Sequence, residues 1–185
     1  MLKITYFGNP VLRKKSKPLS LTEIKSPETK KLISEIKSMV ETKKYGIGLA
    51  CPQVGKSLAL SVIAIKPTPT RPNLKKFNSV IINPSYEGIG RKYQLWEGCI
   101  SSGNGESTLY AKVPRYKKIN AVYYDQTGKK IKQILEGIRA HVFQHETDHL
   151  NGVLFVDKVK DTSSYMLASE YKKMRAKENA KKSKR

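Results

Sequence analysis

The chain has 185 residues, 38% hydrophobic and 28% charged, with a net charge of +21 from 36 Lys and Arg against 15 Asp and Glu. That length supports one globular unit with a sizeable core, while no apolar run approaches the roughly 20 residues of a membrane span. The first residues lack the apolar centre and cleavage site of a secretory signal, and two cysteines, Cys51 and Cys99, are too few for a disulfide framework, so a cytoplasmic protein is expected.

Asn9-Pro10 followed by Val11 and Leu12 predicts a short helical turn. Ser26-Pro27-Glu28 opens a helix with a capping hydroxyl, a proline at the first helical position and an acid near the positive end of the dipole. Leu32, Ile33, Ile36, Met39 and Val40 then recur at helical spacing and Gly46 offers a stop, which predicts an amphipathic helix over residues 27–44. Residues 58–65 read as a buried strand, followed by a loop marked by Pro67, Pro69 and Pro72. Residues 79–83 read as a second strand, stopped by Pro84. Residues 120–124 and 129–135 flank Asp125-Gln126-Thr127-Gly128, a turn-forming group that predicts a hairpin. A helix is expected over 138–150, and a last one from about Ser163 to Ala180, fraying into KKSKR. Short strands and few helices, without repeating strand–helix units, point to an α+β fold. Residues 1–160 are expected to form a single domain and 161–185 a C-terminal basic helix and tail.

Metal-binding chemistry is concentrated in Gln144-His145-Glu146-Thr147-Asp148-His149. In this H-E-x-x-H pattern, two histidines one helical turn apart reach one metal ion and the glutamate acts on a water molecule. His141 lies a further turn back, so all three histidines share a helix face. Eight residues at about 1.5 Å each put His141 and His149 roughly 12 Å apart, too far for one ion. The pair is therefore 141/145 or 145/149, and only the second brackets a glutamate. His141 is then a pocket-wall residue or a support for a ligand. A hydrolytic metal keeps three protein ligands and an open position. No further histidine exists, and Glu170 and Glu178 lie in the basic tail. Cys99, in Trp96-Glu97-Gly98-Cys99-Ile100-Ser101, is the better third candidate, because a thiolate binds divalent metals strongly.

Three separated segments carry a resemblance: GIGLACPQVG (46–55), EGCIS (97–101) and QHETDHLNG (144–152). Through them, and over about Ile4 to Lys160, the chain resembles the peptide deformylase family. The resemblance implies short antiparallel sheets packed around a central metal-binding helix, with a C-terminal helix. It implies hydrolysis of the formyl group from the N-terminal formyl-methionine of newly synthesised proteins, releasing formate, within a catalytic domain at 1–160. It also implies that Cys99, His145 and His149 bind one divalent ion, usually Fe2+, with Zn2+ or Ni2+ able to replace it. The residues suit that reaction. A formamide is a poor electrophile, and a metal with Glu146 as proton acceptor supplies a strong nucleophile. The amide of Gln53 and the backbone N–H of Ile100 are candidate donors to the developing oxyanion. Gly48 permits close approach of the substrate backbone, and the chain around 46–48 is placed to pair with the peptide as an added strand. Ile47, Ile138, His141 and Val142 occupy the places of the family's methionine slot.

Two departures stand out. Cys51 replaces a common alanine, which puts a second thiol near Gln53 and is expected to make the site more prone to oxidation. After EGCIS the chain reads SGNGESTLYAKVPR, with extra residues before Val113-Pro114-Arg115. This SGNGES stretch is expected to be flexible and to alter substrate preference at the cleft rim, while Arg115 is expected to brace Asp148 or Glu97 by an ion pair. The charge favours polyanionic partners such as RNA. It is richest after Lys158, where the tail resembles those of deformylases that dock on the ribosome; the alternative is a solubilising tail.

Overall fold

The computed structural model describes residues 2–42, 47–67 and 74–182. Its helices are α1 (Leu21–Lys25), α2 (Pro27–Thr42), α3 (Ile138–Leu150) and α4 (Ala168–Lys182). Its strands are β1 (Gly48–Ala50), β2 (Leu60–Ile65), β3 (Phe77–Gly98), β4 (Leu109–Tyr124), β5 (Lys130–Glu136) and β6 (Met166–Leu167). The strands form an antiparallel sheet in the order β1-β2-β3-β4-β5, with β6 added to β4. This is the expected α+β arrangement, with β3 and β4 much longer than the sequence suggests and β2 two residues shorter.

Pro84 does not stop the second strand. The β3–β4 register shifts between Ile82 and Ser85, so the proline sits in a bulge where no ladder N–H is required. Asn83 takes a positive φ of 50° there, tolerable for an amide side chain. That side chain accepts from the Leu19 N–H and donates to the Leu19 carbonyl, stitching the N-terminal segment to the sheet.

The helical turn after Asn9 forms over Pro10–Arg13, with the Asn9 side chain accepting from Val11 N–H. Ahead of the expected helix lies α1, opened by a reciprocal cap between Ser20 and Glu23. Helix α2 begins at Pro27 as expected; its predicted stop at Gly46 and the loop prolines Pro69 and Pro72 lie outside the described residues. The turn between β4 and β5 is held by the Asp125 carboxylate, which accepts from the N–H groups of Thr127 and Lys129.

The last helix starts at Ala168 rather than Ser163. Asp161 accepts from both the N–H and hydroxyl of Ser163, fixing a short 3-10 turn over Thr162–Ser164. Met166 and Leu167 then pair with Tyr110 and Leu109. Local side-chain bonds and strand pairing thus claim residues 163–167 of the expected last helix.

One apolar cluster joins α1 and α2 to β1–β3 through Ile24, Ile33, Ile36, Leu49, Val62 and Ile82. Another joins α3 to the sheet through Ala140, Val142, Phe143, Ile63, Ile81 and Ile119. Helix α3 is buried almost all round, including polar Gln144, Glu146, Asp148 and His149. Buried polar side chains require partners, and those partners define the site.

Candidate metal centre and active site

Three ligand atoms converge beside α3. Cys99 Sγ lies 3.3 Å from His149 Nε2, which lies 3.1 Å from His145 Nε2. All three atoms fall within 4.8 Å of one another. Bonds of about 2.0–2.3 Å around a tetrahedral ion separate N and S ligands by roughly 3.3–3.6 Å, so this triangle fits a single divalent ion. One turn of α3 supplies both imidazoles, and the residue that follows β3 supplies the thiol. His141 is held elsewhere: its Nε2 lies 2.8 Å from Glu97 Oε2.

Glu97 is the hub that sequence reasoning saw only as a partner for Arg115. Its carboxylate meets His141 Nε2, His145 Nδ1 at 2.5 Å and two nitrogens of Arg115 at 2.9 and 2.7 Å. Arg115 also donates to Asp148 at 2.5 Å, and Lys158 lies 2.9 Å from the same carboxylate. Arg115 therefore braces both of the carboxylates proposed for it. Burial opposes charge on Glu97, but His145, His141 and Arg115 outweigh it and hold the carboxyl well below its ordinary value. With its Nδ1 against Glu97, His145 turns Nε2 toward Cys99 and His149. A signal for the hub was available: a carboxylate two residues before a candidate thiolate ligand invites this role.

Glu146 projects toward Gly48, where a Cβ would meet Glu146 Oε1 at 2.3 Å and Val142 Cγ1 at 3.1 Å. The close approach at Gly48 is thus made by the glutamate itself. Glu146 Oε2 is buried with no hydrogen-bond partner among the described residues. Burial pushes its carboxyl up to about 7, with His145 lowering it and Glu97 raising it. Gln53 is oriented by the backbone three residues earlier: its Oε1 accepts from Ala50 N–H at 2.9 Å. Its Nε2 then faces Ser101 Oγ at 3.2 Å and Cys99 Sγ at 3.4 Å.

Ile47, Gly48, Gln53, Cys99, Ile100, Ile138, His141, Val142, His145 and Glu146 line a common cleft of about 340 Å³. His149 stands behind it, 1% exposed. Ile4, Tyr6, Gly103–Gly105, Tyr110, Tyr171 and Lys172 also line it. No local pattern connects these wall residues, which are distant in sequence and meet only through tertiary packing.

The SGNGES stretch is tied down. Thr108 Oγ1 donates to Gly103 O, Asn104 N–H donates to Ser107 Oγ, and Ser102 Oγ bridges Cys99 O and Leu109 N–H. These bonds give the stretch a defined conformation at the rim. Cys51 also departs from expectation: it is fully buried in the α2-side cluster, apart from the cluster holding Cys99. Burial pushes its thiol up to about 12, which opposes formation of the thiolate that oxidation requires.

Two histidines flanking a glutamate on a buried helix, a thiol set against them and a carboxylate facing a cleft define a metal-dependent hydrolase. The polypeptide deformylase pattern matches residues 1–165, and the chain belongs to that family of enzymes, which remove the formyl group from new protein chains. It is 34% identical over 176 residues to peptide deformylase 2 of a Nostoc species, covering 94% of each chain. It is 41% identical over 161 residues to the peptide deformylase of Halothermothrix orenii, covering 86% of this chain and 94% of that one. Among solved structures, the Met-Ala-Ser-bound class I type b peptide deformylase of Acinetobacter baumannii superposes with a TM-score of 0.79 at 27% identity, over 86% of this chain and 98% of the other. The actinonin complex of the Synechococcus elongatus enzyme gives 0.74 at 34% identity, over 88% and 81%.

Proposed function

We propose that residues 1–160 form the catalytic unit and hydrolyse the formamide of N-formylmethionyl peptides with one divalent ion, physiologically Fe2+, held by Cys99 Sγ, His145 Nε2 and His149 Nε2. The observation that carries this is the convergence of these three atoms beside an unpartnered, buried carboxylate oxygen of Glu146. When bound, a divalent ion supplies Lewis-acid polarisation and makes water a nucleophile near neutral pH. Glu146 accepts the proton of the attacking water and returns it to the departing amine nitrogen, releasing formate and a free methionyl terminus. A carboxyl held near neutrality by burial suits that two-way transfer.

Gln53 Nε2 donates to the oxygen on which negative charge develops; its Oε1 is already engaged by Ala50, so the amide cannot turn away. The Ile100 N–H acts as second donor, since the first N–H groups of a helical turn lack intrahelical acceptors. Ile47, Ile138, Val142 and the ring of His141 receive the methionine side chain. Strand β1 is an edge strand, suited to pairing with an extended peptide beside Gly48. The Met-Ala-Ser bound to the Acinetobacter relative supports a short methionyl peptide as occupant.

Residues 161–185 form an appended basic segment, whose exposed Lys177 and Lys181 are proposed to meet ribosomal RNA, placing the enzyme in the cytoplasm beside emerging chains. Among the described residues, no helix is long and apolar enough to cross a membrane. The test of the catalytic reading is formate release from formyl-Met-Ala-Ser by ferrous-loaded protein under anaerobic conditions. Release is expected, with a fall of about 10²–10⁴-fold in Glu146→Ala at unchanged metal content. No release by the loaded wild type overturns the reading, and wild-type rates in the variant overturn the role of Glu146.

A further inference from the structure

The cleft is also lined by three aromatic side chains, Trp96, Tyr110 and Tyr171, and by Lys172. The Tyr110 ring lies across Gly98, where a Cβ would meet it at 2.6 Å. The same ring stacks on Tyr171 at 4.2 Å and 11°, and Trp96 leans on Tyr171 at 5.6 Å. The backbone immediately before Cys99 is thereby coupled through Tyr110 to the first turn of α4. Lys172, the next residue, lines the cleft. Its ammonium lies 3.8 Å from Glu106 in the rim, with side chains 38% and 75% exposed. A contact that long and that exposed is weak and exchangeable.

We propose that Lys172, carried on the Trp96–Tyr110–Tyr171 stack, forms a downstream subsite that selects acidic side chains at the second and third residues of the substrate. This rests on the cleft being the peptide site proposed above. A substrate carboxylate takes the place of Glu106 on the ammonium, while the aromatic stack keeps the lysine at the cleft edge. The rim and α4 thus act together as a specificity element, with Glu106 as an internal competitor for the charge.

The test compares formyl-Met-Asp-Asp-amide with formyl-Met-Lys-Lys-amide by kcat/KM. In parallel, binding of the deformylated amides is read from the fluorescence of Trp96, the sole tryptophan of the chain. Preference for the acidic peptide is expected in both readouts, expressed in KM more than in kcat. Charge reversal in Lys172→Glu replaces attraction by repulsion and is expected to shift the ratio by about tenfold, since one exposed pair accounts for up to about fivefold. Glu106→Gln is expected to raise the acidic preference. Lys130→Glu, an equal charge change on exposed Lys130 at the far end of the β4–β5 pair, controls for the general field of the protein. A ratio unmoved by Lys172→Glu, or moved equally by Lys130→Glu, overturns the subsite. A Lys172-dependent binding ratio without turnover of any formyl peptide supports the subsite and overturns the hydrolytic reading.

Discussion

Gly48 and Glu146 stand so close that a methyl group on the glycine would lie 2.3 Å from Glu146 Oε1. The first sequence motif therefore makes room for the key residue of the third. In Gly48→Ala the carboxylate must move aside, and a displacement of about 1 Å costs on the order of 10²-fold in rate. The expected result is a fall of that size in kcat with metal content and melting temperature close to wild type. Unchanged turnover would mean that Glu146 is free to adjust.

Arg115 is 1% exposed and neutralises two buried carboxylates. Arg115→Met leaves Glu97 and Asp148 without that charge, a defect of about 3–5 kcal/mol for broken buried pairs. Urea unfolding is expected to show a lowered midpoint, and metal titration a weaker site, because Glu97 also orients His145.

Cys51 is expected to be inert. In folded protein at pH 8, alkylation followed by peptide mapping should leave it unmodified until denaturant is added. Cys51→Ala should lose activity in air at the wild-type rate; slower loss in the variant would restore Cys51 as a route of oxidation.

The Arg13–Asp157 pair offers a pH test away from the site. Burial opposes ionisation of Asp157, but bonds from Arg13 and from the Leu154 N–H outweigh it and lower the carboxyl. A lowered carboxyl stabilises fully above its unfolded value of about 3.9, and that contribution fades as pH falls through the folded value. The side chains are 51% and 35% exposed, so the contribution is at most about 1 kcal/mol. Asp157→Asn keeps an acceptor for Leu154 and removes the charge. Its melting temperature should fall short of wild type at pH 7 and converge with it in strong acid.

Chelation should lower thermal stability as well as activity. A ligand at 100 times its dissociation constant stabilises by about 2.7 kcal/mol. Melting curves with and without chelator are expected to separate in wild type and to coincide in Cys99→Ala.

The site was more legible in the sequence than the frame that holds it. His145, Glu146 and His149 could be placed because one helical turn dictates their spacing. The Asp125–Gly128 turn could be placed because its residue types select the conformation. Pro84 misled, since a proline stops a strand only where its N–H is needed, and the bulge that excuses it depends on Asn83 bonding to Leu19. The start of α4 misled because Asp161 competes locally for the backbone. Strand β1, at three residues, is too short for any periodicity, and the stack of Trp96, Tyr110 and Tyr171 joins positions up to 75 apart that meet only once the sheet has formed.

Helix α3 is clamped by the core on nearly every side, whereas Gly103–Gly105, Tyr171 and Lys172 bring a short loop and the first turn of another helix to the same cleft. Geometry fixed by regular, packed elements is held more tightly than geometry on loops. On the reading proposed above, methionine is selected on the same rigid helix that carries the reacting groups, so exchange of the 103–108 loop is expected to retune preference further along the peptide while leaving both in register.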